Sequence, residues 1–199
     1  MTAELKSVCV FCGSRMGARP DYLEGARALG TELARRGLAL VYGGTSVGLM
    51  GAMADAVLAG GGKVVGVLPK VLSDREIAHP RLTELHLVDS MHTRKAMMAE
   101  RADAFIAMPG GVGTFEELFE ITTWAQLGIH HKPIGLLNVA DFYAPLLALM
   151  RRAVDEGFIP ETRAQPFACE ASPAALLDQL QKVGQPLAAS KPVLRPEQT

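Results

Sequence analysis

The stretch "ADAFIAMPGGVGTFEELFEITTW", Ala102 to Trp124, decides the fold. Its apolar run Ala104–Met108 is too continuous for a half-exposed strand and suits a parallel strand covered on both faces. Pro109 ends the run, Gly110, Gly111 and Gly113 follow, and a helical pattern carrying Glu116 and Glu117 begins. Strand, glycine turn and helix make the repeating unit of parallel α/β sheets. Two readings compete for the carboxylates. Thr114-x-x-Glu117 has capping-box spacing, in which Glu117 bonds back to the backbone of Thr114. Alternatively, the turn and the positive end of the helix seat a phosphate, and a carboxylate is held beside it.

Outward from this stretch the same alternation continues. Strands are expected at Val8–Cys12, Leu38–Tyr42, Lys63–Leu68, Leu85–Val88, Ile134–Leu137 and Phe167–Cys169. Helices are expected over Asp21–Arg36, stopped by Gly37, and over Leu49–Ala59, stopped by Gly60 to Gly62. Ser90 is a suitable N-cap for Met91–Arg101, and Thr114 for Phe115–Leu127, which ends at Gly128. Asp141 is expected to cap the run to Glu156, and Ser172-Pro173 opens the last helix. This order predicts an α/β protein: one Rossmann-like, doubly wound parallel sheet with helices on both faces and right-handed crossovers, spanning residues 1–184. The tail Gln185–Thr199 carries Pro186, Pro192 and Pro196 without periodicity and is expected to be disordered.

The bulk composition agrees. A chain of 199 residues, 49% hydrophobic and 21% charged with net charge -1, reads as one soluble globular domain. That near-neutral balance gives no reason to expect nucleic-acid or membrane partners. No apolar run reaches the ~20 residues of a membrane helix, and the N-terminus shows no signal-peptide pattern. Cys9 and Cys12 have redox-motif spacing, but on a strand they point to opposite faces, so buried reduced thiols in a reducing cytoplasm are expected. His79, His86, His92, His130 and His131 form no recognised ligand motif, so no metal is expected.

Three glycine-bearing turns fall at carboxyl ends of strands, where such sheets bind ligands: Cys12–Gly17, Tyr42–Gly51 and Pro109–Thr114. A nicotinamide dinucleotide is disfavoured. No G-x-G-x-x-G follows the first strand, and the second runs into Gly43-Gly44 instead of an acidic ribose ligand. A smaller ligand with one phosphate fits better. The adjacent cations Arg94 and Lys95 either serve that ligand or lie on a solvated helix face.

"PGGVGTFEE" and "TWAQLGIHHKPIGLLN", with "MHTRKAMM" and "YGG…GLMG" upstream, resemble the LONELY GUY (LOG) family over Val8 to about Val183. That resemblance implies a cytokinin riboside 5'-monophosphate phosphoribohydrolase, and no cofactor is expected. Relatives have carried the label "lysine decarboxylase", but nothing here suggests a pyridoxal phosphate site. By the resemblance, Gly110, Gly111, Gly113 and Thr114 seat the 5'-phosphate, and Arg94 and Glu117 form the catalytic pair. Lys95, Glu116, Thr123 and Glu76 lie near the substrate, with Ser14 and Gly44 as further contacts from the other two turns. The family commonly reads Gly-Gly-Gly where this chain has Gly43-Gly44-Thr45, which would alter one edge of the pocket. Glycosidic cleavage develops positive charge on the sugar, which Glu117 can stabilise while orienting water; Arg94 either anchors the nucleotide or stabilises the leaving base. Phe115, Leu118, Phe119, Ile121 and Trp124 spread around more than one helix stripe, which together with the resemblance implies a homodimer. Met16, Met91 and Met98 suggest an apolar slot for a base substituent. The competing class is a nucleotide-binding protein without chemistry.

Overall fold

The apolar runs become the strands of one sheet. In the computed structural model, residues 5–73 and 78–183 are described; Glu76 and the tail Gln185–Thr199 lie outside them. The elements are β1 (Ser7–Phe11), α1 (Pro20–Arg35), β2 (Ala39–Tyr42), α2 (Gly48–Ala59), β3 (Val64–Pro69), α3 (Lys70–Ser73) and β4 (Glu84–Val88). They continue with α4 (Met91–Glu100), β5 (Ala104–Ala107), α5 (Val112–Gln126), β6 (Ile134–Leu137), α6 (Ala144–Asp155), β7 (Ala168–Glu170) and α7 (Pro173–Val183). The expected strands all form, with ends shifted by a residue or two.

The seven strands run in the order β4-β3-β2-β1-β5-β6-β7, every neighbouring pair parallel. The chain therefore winds outward from β1 to one edge, then returns to pair β5 against the other side of β1. Between β1 and β5 the winding reverses, and the loops leaving these two strands diverge to opposite faces. A crevice opens at that point, outside the carboxyl ends of the strands.

Burial on both faces follows from the continuous apolar strands. Val8, Val10, Leu40, Tyr42 and Val64 pack with the inner faces of α1, α2 and α7. Cys9, Phe11, Val41, Val65 and Val67 point the other way, to Met98 of α4 and to Leu118 and Ile121 of α5. Cys9 and Cys12 are buried, free and in different cores, as their spacing on a strand requires. Burial, with the charge of Glu117 adding to it, pushes both thiols far above the usual cysteine range, so neither is a ready nucleophile.

Two helix starts differ from expectation. Helix α5 begins at Val112 with Gly111 as N-cap and no side-chain capping bond, not at Phe115 after Thr114. Thr114 is instead a buried residue of the first turn, packed so closely on Gly110 that a Cβ there would lie 2.1 Å from its Oγ1. Glu117 thus stands in the second turn, and the capping-box reading falls. Asp141 does not cap α6 either. Ala140 and Asp141 take positive φ (52° and 57°) in a tight turn, and α6 starts at Ala144. Asn138 braces that turn, its Oδ1 accepting from the Tyr143 backbone N–H at 2.7 Å. The strained turn presents Phe142 toward the crevice.

Candidate active site

The crevice is a cleft of about 460 Å³. Its floor is the paired turns of the switch point. The backbone N–H of Gly13, after β1, donates to the carbonyl of Pro109, after β5, at 3.1 Å. The Gly13 carbonyl in turn accepts from the N–H of Leu49 at the start of α2, also at 3.1 Å. The phenol of Tyr143 donates to the Met108 carbonyl at 2.6 Å, fixing the end of β5 from the other face. All three glycine turns are therefore tied to one rigid base.

Gly110 is glycine because Thr114 and Gly13 leave no room for a Cβ. Gly111 and Gly113 differ. A Cβ at either would meet nothing within 4 Å, and both line the cleft. Packing does not require those two glycines. They leave the start of α5 at the cleft lining without a side-chain cap and without an acidic residue in its first turn. Such an end accepts an anion.

Beyond this start lie the charges. Glu117 is one turn past Thr114, roughly 4.5 Å further along the helix axis. Arg94, projecting from α4, sets its Nη1 3.3 Å from Glu117 Oε1, both side chains about 10% exposed. The Arg94 Nε donates to the Val67 carbonyl at 3.2 Å, which fixes the guanidinium from behind. Ser90 caps α4, its Oγ accepting from Thr93 N at 3.0 Å, and so settles where the helix begins and where Arg94 points.

Lys95 is buried as well, so the solvated-face reading fails for both cations. Its Nζ reaches Glu116 Oε1 at 2.5 Å and Glu120 Oε1 at 2.9 Å. Burial pulls the ammonium pKa down, but these two carboxylates overcome it and leave Lys95 above the usual lysine value. Lys95 joins α4 to α5 and does not line the cleft. Neither does Thr123, which is exposed and donates to the Phe119 carbonyl at 2.8 Å.

Ser14, Gly110, Gly111, Gly113, Thr114, Glu116, Arg94 and Glu117 all line the cleft, but Gly44 does not. Its neighbour Gly43 does, and it makes room for Arg94: a Cβ at 43 would lie 2.3 Å from Arg94 Nη2. Thr45 stands outside the lining, fully buried, its Oγ1 accepting from Val47 N at 3.3 Å. The change from the family's third glycine therefore lies behind the cleft wall. Met91 and Met98 line the cleft with Met50, whereas Met16 is 46% exposed and lies outside the lining. Arg15, Tyr22 and Phe142 also line the cleft, beyond the expected site residues. Only Arg15 carried a signal, its place in the first glycine turn.

A doubly wound sheet with a cleft at its switch point, a glycine-rich helix start and a buried Arg–Glu pair define a Rossmann-like α/β protein. A family model described as "Possible lysine decarboxylase" matches residues 50–180. The chain is 52% identical over 180 residues to the Arabidopsis thaliana cytokinin riboside 5'-monophosphate phosphoribohydrolase LOG7, covering 90% of this chain and 83% of that protein. It is 54% identical over 159 residues to the rice protein LOG of the same description, covering 80% and 66%. The chain belongs to this family, the LOG family. Among solved structures it resembles the molybdenum cofactor binding protein of Rippkaea orientalis (TM-score 0.69, 21% identity, 91% and 98% covered). A molybdenum cofactor carrier of Chlamydomonas reinhardtii is similar (TM-score 0.66, 19% identity, 89% and 97% covered). These likenesses establish the shared fold.

Proposed function

We propose that the protein is a phosphoribohydrolase that hydrolyses the N-glycosidic bond of adenosine 5'-monophosphates, including N6-substituted ones, to free base and ribose 5-phosphate. The observation that carries this is the buried Arg94–Glu117 pair one turn beyond a bare helix start. The start of α5, with Ser14 opposite, seats the 5'-phosphate, and Glu117 faces ribose carbon 1. Glu117 stabilises the oxocarbenium-like sugar and orients the attacking water. As water adds to carbon 1, the electron pair of the glycosidic bond leaves with the base. The base takes up a proton, and the hydroxyl stays on ribose 5-phosphate. Arg94 fixes the direction of Glu117 and places positive charge beside the leaving base. Met50, Met91 and Met98 form a pliable apolar wall suited to an N6 substituent. The chemistry needs no cofactor. Glu116 and Lys95 hold the frame of the pair, while Gly44 and Thr123 stand outside the cleft lining.

The test compares kcat/KM for AMP, its N6-isopentenyl derivative and both dephosphorylated nucleosides. Losing the phosphate strands the first-turn N–H groups, so the nucleotides are expected to be better by about a hundredfold or more. Equal rates with and without phosphate would remove the proposed role of Gly110 to Thr114. No turnover of any of the four, with binding retained, would favour a non-catalytic nucleotide binder.

The protein acts as a cytoplasmic homodimer with its two-fold interface near the site. Phe119, Leu127 and Ile129, on α5 and the loop that follows it, are 40%, 59% and 64% exposed, an apolar surface a second copy would cover. Among the described residues no helix is long and apolar enough to cross a membrane. Light scattering at micromolar concentration should give twice the chain mass; a monomer mass contradicts the dimer.

A further inference from the structure

The charges lining the cleft leave an anion short of a partner. Two cations line it, Arg15 and Arg94, against two carboxylates, Glu116 and Glu117. Arg94 is committed to Glu117 at 3.3 Å, and the nearby Lys95 is taken up by Glu116 and Glu120. A phosphate monoester carries about −1.5 to −2 charges at neutral pH. The start of α5 supplies only about half a positive charge. One further cation is needed at the seat.

Arg15 stands in the right place for this. It follows Ser14 in the turn after β1, and that turn is hydrogen-bonded to the turn before α5 through Gly13 and Pro109. Arg15 is exposed, lines the cleft, and has no hydrogen bond or ion pair among the described residues. The neighbouring Arg19 is occupied, pairing with Asp21 at 3.2 Å. The turn therefore carries a guanidinium with no carboxylate to hold it, beside a helix start bare of acidic groups.

We propose that Arg15 is the phosphate arm of this cleft, closing its guanidinium on the 5'-phosphate across from the start of α5. This rests on the reading of the cleft as a nucleoside 5'-monophosphate site. The planar fork of arginine matches two phosphate oxygens, and such charge-assisted pairs are about twice as strong as neutral hydrogen bonds. The phosphate is remote from the bond that breaks, so the contact persists from ground state to transition state. Its loss appears mainly in KM. Arg15 sets how strongly nucleotides are preferred over nucleosides, while Glu117 sets the rate.

The test measures kcat and KM for AMP, and inhibition by ribose 5-phosphate, in the wild type, Arg15→Gln and Arg15→Lys. Arg15→Gln should raise KM and the ribose 5-phosphate inhibition constant about tenfold while kcat falls less than about threefold. Arg15→Lys should recover part of the loss. Added salt should weaken ribose 5-phosphate binding more in the wild type than in Arg15→Gln. Unchanged constants in Arg15→Gln, with a wild type that prefers nucleotides, overturn the arm and leave the nucleotide reading standing. A fall in kcat at constant KM also overturns it. A wild type that does not distinguish nucleotide from nucleoside overturns both.

Discussion

Glu117→Gln is expected to cut turnover of a nucleoside 5'-monophosphate by on the order of a hundredfold or more while the chain stays folded. Glutamine keeps the shape of the side chain and an oxygen that can accept from Arg94. It cannot supply the negative charge that an oxocarbenium-like sugar requires. Because the pair is about 10% exposed, losing its charge also has a structural cost, expected as a fall of a few degrees in Tm. Nucleotide binding, read with the variant and unreacted substrate, should persist, since the phosphate seat is untouched. Wild-type turnover in this variant would reduce Glu117 to a structural partner of Arg94.

Gly43→Ala should be nearly as damaging, although residue 43 has no side chain to react. Its new Cβ would lie 2.3 Å from Arg94 Nη2 and 3.0 Å from Met50 Sδ. Met50 is flexible, but Arg94 is held by the Val67 carbonyl behind and Glu117 in front. The guanidinium must leave its seat, and Glu117 loses its orienting partner. Overpacking of this kind costs about 1–3 kcal/mol in stability. Turnover should fall on the order of a hundredfold, as a misplaced catalytic group does. If Gly43 acts through the pair, the double variant with Glu117→Gln should lose little beyond the worse single variant. Fully multiplicative losses would show that Gly43 acts elsewhere.

What was legible in the sequence was whatever rests on local pattern. Continuous apolar runs such as Ala104–Met108 announced buried parallel strands, and the glycines after them marked the turns that meet at the switch point. Ser90 could be read as a cap because its partner, Thr93 N, is three residues away. Long-range packing was not legible. Thr114 has the chemistry of a cap, but its hydroxyl is packed against Gly110, and the helix starts at Gly111, a residue with no side chain to signal it. The burial of Arg94 and Lys95 depends on carboxylates of a different helix, so the pair looked like any solvated stretch. Gly43 reads as a turn residue until Arg94 is seen against it. Phe142 reaches the cleft only because Ala140 and Asp141 adopt positive φ, which neither residue type advertises.

Hydrolysis of the glycosidic bond of a nucleoside 5'-monophosphate is the activity proposed for this cleft. It is tested most directly by incubating the purified protein with AMP or its N6-isopentenyl derivative and quantifying products by chromatography. Free base and ribose 5-phosphate are expected in equal amounts, both lost in Glu117→Gln. Substrate recovered intact, or release of inorganic phosphate with a nucleoside in place of free base, would contradict that activity.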